Sequence, residues 1–153
     1  MKVLVIDNEP NLRTAIKALL QAFCPEIKTI EEADGVKSGL QKIKAFQPDI
    51  VLLDVEMDDG SGFDLMKQVV NPGFQLIFVT AHNKYAIEAF QFSAIDYLLK
   101  PVDPDALQIS IQKAAVNMRN SNLQQQVQIL LQQLAGIQNH ERKIVLKDIE
   151  NTY

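Results

Sequence analysis

A chain of 153 residues that is 47% hydrophobic and 22% charged has the size and composition of one ordinary globular domain with an appendage. Its 15 basic and 19 acidic residues leave a formal net charge of -4, which speaks against a basic surface for nucleic acid within this stretch. The single cysteine, Cys24, excludes an internal disulfide framework and suits a reducing cytoplasm; no apolar run is long enough to cross a membrane, and a first strand beginning near Met1 leaves no room for a cleaved leader.

Val3-Leu4-Val5-Ile6 reads as a strand over about Lys2 to Ile6 that stops at Asp7. Asp7-Asn8-Glu9-Pro10 can open a helix, along which Leu12, Ile16, Leu19, Leu20 and Phe23 recur at helical spacing until Pro25. Ile27 to Glu32 alternates apolar and polar residues, as an edge strand with one wetter side does. A helix from about Gly35 to Phe46 carries Val36, Leu40, Ile43 and Phe46 on one stripe and ends at Gln47-Pro48. Ile50-Val51-Leu52-Leu53 is a third strand halted at Asp54. A loop rich in Asp and Gly and a short helix around Phe63 to Val69 follow it. After the turn signal Asn71-Pro72-Gly73, a fourth strand runs to Thr80, a helix covers about Asn83 to Phe92, and a fifth strand, Ile95 to Leu99, stops at Lys100.

Strands alternating with helices predict a doubly wound parallel sheet, with the most apolar runs (the first, third and fourth) at its centre. Such a sheet delivers every carboxyl-terminal strand end to one edge, the binding crevice of open α/β folds. Asp7, Asp54, Thr80 and Lys100 are expected to meet there, although they lie far apart in the chain. Two carboxylates suit Mg²⁺, which accepts one or two of them and keeps several waters. Asp54, at the end of a central strand, is the expected nucleophile for an acyl phosphate. Thr80 would bond one phosphate oxygen through its hydroxyl, and Lys100 would hold another as a point charge. Taken singly, Asp7, Asn8 or Thr80 could cap a helix and Lys100 could snorkel from an edge strand; the force of the reading lies in all four together.

The last helix starts near Asp103-Pro104 and shows no stop signal. Val116, Asn120, Leu123, Val127, Leu130, Leu134 and Ile137 alternate by four and three. This is a heptad seam with Asn120, Val127 and Leu134 at a and the others at d. A second copy of the helix is the expected partner, giving a homodimer with Asn120 as a register-setting polar residue; a solvated, Gln-rich linker is the alternative. Lys143-Ile144-Val145-Leu146-Lys147 reads as the start of a further strand.

The runs VLVIDNEP, PDIVLLDVEMDDGSGF, IFVTAH and AIDYLLKPVD resemble, in order, the receiver domain of two-component response regulators over about residues 1 to 120. The resemblance implies an α/β, flavodoxin-like fold, with five parallel strands in the order 2-1-3-4-5 and here an extended C-terminal helix. It implies that Asp7, Asn8 and Asp54, with the backbone carbonyl of Glu56, bind Mg²⁺, that Asp54 takes a phosphoryl group from a histidine kinase, and that Thr80 and Lys100 sense it. Tyr97 matches the family's switch aromatic, and Pro101 matches its cis-proline. Asn8 stands where a second aspartate is usual, and Asp58 stands where proline is usual. The charge that Asp58-Asp59 adds beside the pocket either aids metal capture or sits in solvent. His82, just past Thr80, reads as a loop-surface residue.

Residues 84 to 101 together with ERKIVLKDIENTY look like the LytTR class of regulators, in which a β-rich DNA-binding domain follows the receiver. The expected organisation is a receiver over 1–120, a helical coiled-coil linker over 121–140, and over 141–153 the start of a LytTR-like domain. DNA would then be bound only through a domain that this chain lacks. The expected protein is a cytoplasmic phosphorylation switch that makes no membrane contact, not an enzyme beyond slow autophosphorylation and autodephosphorylation. Two rivals stand beside it. One is a receiver-like dimerisation module not controlled by phosphorylation. The other is a haloacid-dehalogenase-like phosphatase, which also uses an aspartyl nucleophile but two residues before a second aspartate and on the first strand, where this chain has Glu56 and the third strand.

Overall fold

The structure, a computed structural model, describes residues 1–138. Five parallel strands, β1 (Lys2–Ile6), β2 (Thr29–Ala33), β3 (Ile50–Leu53), β6 (Gln75–Thr80) and β7 (Asp96–Leu99), form one sheet in the order β2-β1-β3-β6-β7. The numbers β4 (Glu56–Met57) and β5 (Gly60–Ser61) belong to a separate two-stranded hairpin, so this is the expected order 2-1-3-4-5. The continuous apolar runs β1, β3 and β6 occupy the centre because both of their faces are covered. Leu4, Ile6, Val51, Leu53, Leu76 and Phe78 face the helices α2 (Val36–Phe46) and α3 (Gly62–Lys67). The alternate residues Val3, Val5, Ile50, Leu52, Ile77 and Val79 face α1 (Pro10–Phe23) and the first turns of α5 (Pro104–Gln138), where Leu107, Ile111 and Ala114 are buried. Among the described residues, no helix is long and apolar enough to cross a membrane.

Several boundaries differ from the sequence reading. The turn after α1 uses Ile27, whose N–H donates to the Cys24 carbonyl at 3.1 Å, so β2 begins two residues later than its alternation suggests. The segment after β6 opens with a 3₁₀ turn (Asn83–Tyr85) before α4 (Ala86–Gln91). The loop after Asp54 is ordered as the β4–β5 hairpin, with Asp58 and Asp59 at its turn and Gly60 at φ 144°, a backbone conformation that side chains disfavour.

That hairpin turn anchors a helix. The Asp59 carboxylate accepts from the Val36 and Lys37 N–H groups at 2.8 and 3.1 Å, satisfying two of the donors that the start of α2 leaves open. Asp59→Ala is therefore expected to lower stability by about 0.5–2 kcal/mol, the usual range for losing a cap, which urea unfolding would register.

Chain contacts divide the molecule into a unit of Met1–Asn117 and a second unit from Met118, described as far as Gln138. The second unit is the continuation of α5, with Leu123, Val127, Leu130 and Leu134 exposed. No break marks the expected boundary at 120/121. The segment expected to begin a further domain, 141–153, lies outside the described residues, as does the side chain of Ile137.

Candidate functional site

Strand register creates the site. Ile6 pairs with Leu53 and Leu53 with Phe78, so Asp7 and Asp54 come off adjacent strand ends, and Thr80 ends the next strand. The Asp54 N–H donates to the Ile6 carbonyl at 3.0 Å, and the Lys100 N–H donates to the Thr80 carbonyl at 2.8 Å, which extends the ladder to the edge. The Lys100–Pro101 peptide bond is cis. All four side chains of the sequence-predicted cluster thus reach one edge: Asp54, Thr80 and Lys100 line an open cavity of about 360 Å³ together with Asn8, Glu9, Glu56, Asp58 and His82, and buried Asp7 is joined to it through Lys100.

The Lys100 ammonium lies between two carboxylates, 2.9 Å from Asp7 Oδ2 and 3.2 Å from Asp54 Oδ2, with Glu9 Oε1 at 3.6 Å. Asp7 and Asp54 are only 2% and 4% exposed, so this is a buried charge cluster in which one cation serves two anions. Burial, and then the charge of Asp7, push the Asp54 carboxyl up to about 6, against the opposing pull of Lys100. Burial disfavours the Lys100 ammonium, but the hydrogen bond to Asp7 and the Asp54 charge outweigh it and hold its pKa above the ordinary lysine value. Local bonds fix the acid loop: the Glu9 N–H donates to Asp7 Oδ1 at 2.8 Å, and Arg13 donates to the Asp7 carbonyl at 2.6 Å. The Glu56 N–H lies 3.4 Å from Asp54 Oδ1.

Gly62 bounds the site from beneath. A β-carbon there would stand 2.4 Å from the Asp54 carbonyl oxygen and 3.0 Å from Leu53, so only hydrogen fits. Gly62→Ala must displace the backbone that carries Asp54, and a loss of about 1–3 kcal/mol in unfolding free energy is expected from such overpacking.

Thr80 is buried, and its Oγ1 lies 3.4 Å from the His82 N–H. Tyr97 is half-buried on β7, with its ring 6.4 Å from that of Phe78 and its hydroxyl donating to the His82 carbonyl. His82 lies on the loop with 43% of its side chain exposed, and its Nε2 is 2.9 Å from Glu56 Oε2. The Tyr85 hydroxyl donates to Glu56 Oε1 at 2.6 Å, and this bond is the main cause holding the Glu56 carboxyl below the ordinary glutamate range. The reach of Glu9 to Lys100 and the link from Tyr85 to Glu56 were missed from sequence. Glu9 sat inside a recognised loop but read only as a helix opener, while Glu56 and Tyr85 are 29 residues apart with no pattern to join them.

Two adjacent acids part ways at the hairpin turn. Asp59 is committed to α2, whereas Asp58 faces the cavity and accepts from Asn8 Nδ2 at 3.4 Å. The donor set suits magnesium. Two buried carboxylate oxygens already converge on one cation, the Lys100 ammonium. One or two carboxylates are what magnesium takes from a protein, the rest of its shell being water and phosphate oxygen.

Residues 3–112 match the response regulator receiver domain. A stretch of 116 residues is 38% identical to the sensory transduction protein LytT of Bacillus cereus, covering 74% of this chain and 46% of that protein. A stretch of 152 residues is 36% identical to an uncharacterized response regulatory protein of Vibrio vulnificus, covering 95% of this chain and 62% of that one. The chain therefore spans only about half the length of these relatives. Among solved structures, the response regulator protein TrrA of Thermotoga maritima, in complex with Mg(2+)-BeF, matches with a TM-score of 0.65 at 29% identity, covering 74% of this chain and 97% of that one. These similarities, and a Glu56 side chain engaged with Tyr85 and His82, set aside the haloacid-dehalogenase-like reading.

Proposed function

This chain belongs to the response regulator receiver family, and on that premise we propose that it is a switch thrown by phosphorylation of Asp54. The single observation that carries the proposal is the Lys100 ammonium shared between the buried carboxylates of Asp7 and Asp54. It supports a pocket in which extra negative charge meets a fixed cation.

In the proposed reaction, an Asp54 carboxylate oxygen attacks the phosphorus of a histidine kinase's phosphohistidine. The O–P bond forms as the N–P bond breaks, and the imidazole leaves with the electron pair. Asp7, Asp54 and the Glu56 backbone carbonyl would hold Mg²⁺ with Asn8 beside them; the bound ion supplies charge neutralisation for the phosphoryl oxygens. TrrA, which binds Mg(2+)-BeF, supports that assignment. Lys100 then keeps Asp7 and gives its second contact to a phosphoryl oxygen, and Thr80 donates its hydroxyl to another. Because the Tyr97 hydroxyl rests on the carbonyl of His82, two residues past Thr80, a shift of Thr80 toward phosphate moves the support of the switch aromatic. Phosphate thereby favours one of two packings of the β6–β7 edge and α4, which is a population shift and needs no turnover.

The second unit is proposed to pair with that of another copy. Asn120, Leu123, Val127, Leu130 and Leu134 are exposed on one heptad stripe, and apolar side chains at that spacing are buried only by a partner helix. Leu123→Asp with Leu130→Asp is expected to turn a dimer in sedimentation equilibrium into a monomer; a wild-type monomer at high micromolar concentration contradicts the coiled-coil reading. We take residues 141–153 to open a LytTR-like domain, on the resemblance of ERKIVLKDIENTY. The parent protein would then bind DNA and work in the cytoplasm. Beryllofluoride tests the switch. Binding that requires millimolar Mg²⁺ and shifts the Thr80 and Tyr97 resonances supports it, while no binding at saturating Mg²⁺ favours a dimerisation module outside phosphorylation control.

A further inference from the structure

The pocket departs from its family's pattern at two positions, and the structure places those two side chains against each other. Asn8 is neutral where a second aspartate is usual. Asp58, at the turn of the β4–β5 hairpin where a proline is usual, accepts from Asn8 Nδ2 at 3.4 Å. The neighbouring acid cannot do the same, because Asp59 spends both carboxylate oxygens on the N-terminus of α2. That anchorage fixes the turn and aims Asp58 at the cavity, which it lines with Asn8, Asp54 and Glu56.

We propose that Asp58 restores the metal-side charge that Asn8 lacks. It acts as a positioning residue for the divalent cation, an inference that rests on the proposed Mg²⁺ and Asp54 reading. Two effects combine. The carboxylate returns the lost unit of negative charge to the metal's side of the cavity. By accepting from the Asn8 amide nitrogen it also fixes the orientation of that amide, so that the oxygen of Asn8 is the atom left for the cation. Lys100 takes Asp7 Oδ2 and Asp54 Oδ2, while Asp58 is held by Asn8.

Isothermal titration with MgCl₂ of the full chain and four variants tests this. Asp58→Asn keeps the size but removes the charge, and its Mg²⁺ affinity is expected to fall about tenfold, the low end of what lost outer partners cost a metal site. Asp58→Ala removes charge and orientation together and should fall at least as far. Exchanging the charge with Asn8→Asp in the Asp58→Asn background should restore affinity to within about threefold. Glu26→Gln, which removes one acid from the loop before β2, outside the cavity, should leave affinity unchanged. Wild-type affinity in both Asp58 variants overturns the inference, as does failure of the exchange variant to recover. Beryllofluoride binding at saturating Mg²⁺ separates this outcome from the fate of the parent reading. If the inference alone is wrong, the wild type and every variant still bind beryllofluoride at saturating Mg²⁺, while Mg²⁺ affinity fails to follow the charge at positions 8 and 58. If the Asp54 reading is wrong, the wild type does not bind it at all, and both fall.

Discussion

Lys100→Ala in metal-free buffer is expected to lower the unfolding free energy by about 3–5 kcal/mol, the cost of leaving buried charge without its counter-ion. Among the described residues it is the only ammonium within 4 Å of Asp7 and Asp54, and both carboxylates are almost fully buried. The loss should grow with pH. The Asp54 carboxyl is already pushed up to about 6 by burial and by Asp7, and removing Lys100 takes away the two largest of the causes that lower it, leaving only the Glu56 N–H. A carboxyl with a raised folded-state pKa takes up its proton on folding below that pKa and relieves the repulsion; above it, the ionised pair stands exposed to its own charge. The variant should therefore lie closest to wild type near pH 5 and furthest from it near pH 8. Millimolar Mg²⁺ should return much of the lost stability, because an ion that binds the folded state alone stabilises it by mass action. A melt indistinguishable from wild type in EDTA at pH 8 would show that the ammonium is not the counter-ion the contacts describe.

Asp54→Asn is expected to abolish phosphoryl labelling while leaving the fold at least as stable as wild type at neutral pH. Most buried polar substitutions destabilise, but here the side chain removed is one of two like charges sharing a single cation. Asp7 keeps Lys100 at 2.9 Å in the variant, so the remaining pair is satisfied. Circular dichroism melts beside labelling with acetyl phosphate separate the two effects. A variant that labels as wild type removes Asp54 from the acceptor role, and one that unfolds shows that its carboxylate is structural.

The fold was legible where the chain repeats a simple physical rule. Four of the five sheet strands are largely apolar runs, and in those four a polar residue at or just beyond the carboxyl end lands on the crevice because parallel strands share a direction. That rule alone brings Asp7, Asp54, Thr80 and Lys100 together, and the structure places all four at one edge. The β4–β5 hairpin was not legible, since two-residue strands have no periodicity to detect and Asp58-Asp59-Gly60 reads as any polar loop. For the same reason the divergent tasks of Asp58 and Asp59 were hidden. They depend on which oxygen faces α2 and which faces Asn8, and both are contacts across more than 20 residues of chain. The bridge from Glu56 to His82 and Tyr85 is likewise non-local, and a lone histidine after a strand end carries no mark of its partner. In α5 the heptad spacing was visible, but the change from buried Leu107, Ile111 and Ala114 to exposed Leu123 and Val127 happens inside one unbroken helix, so no turn residue signals it.

The same geometry explains why Asn8 need not silence the pocket. The cavity keeps two buried carboxylates, and Asp58 stands at its rim, so the anionic character survives the loss of one acid in the first-strand loop. His82 touches both Thr80 and Tyr97 through its backbone and holds Glu56 through its ring, so the proposed shift of Thr80 toward phosphate would reach Tyr97.

The most direct measurement is mass-spectrometric mapping of the full chain after incubation with acetyl phosphate, with and without Mg²⁺. One phosphoryl group per chain, confined to the peptide that carries Asp54 and absent in EDTA, is the predicted result. A phosphoryl group on any other residue, labelling independent of the metal, or none at saturating donor and Mg²⁺ would contradict the account.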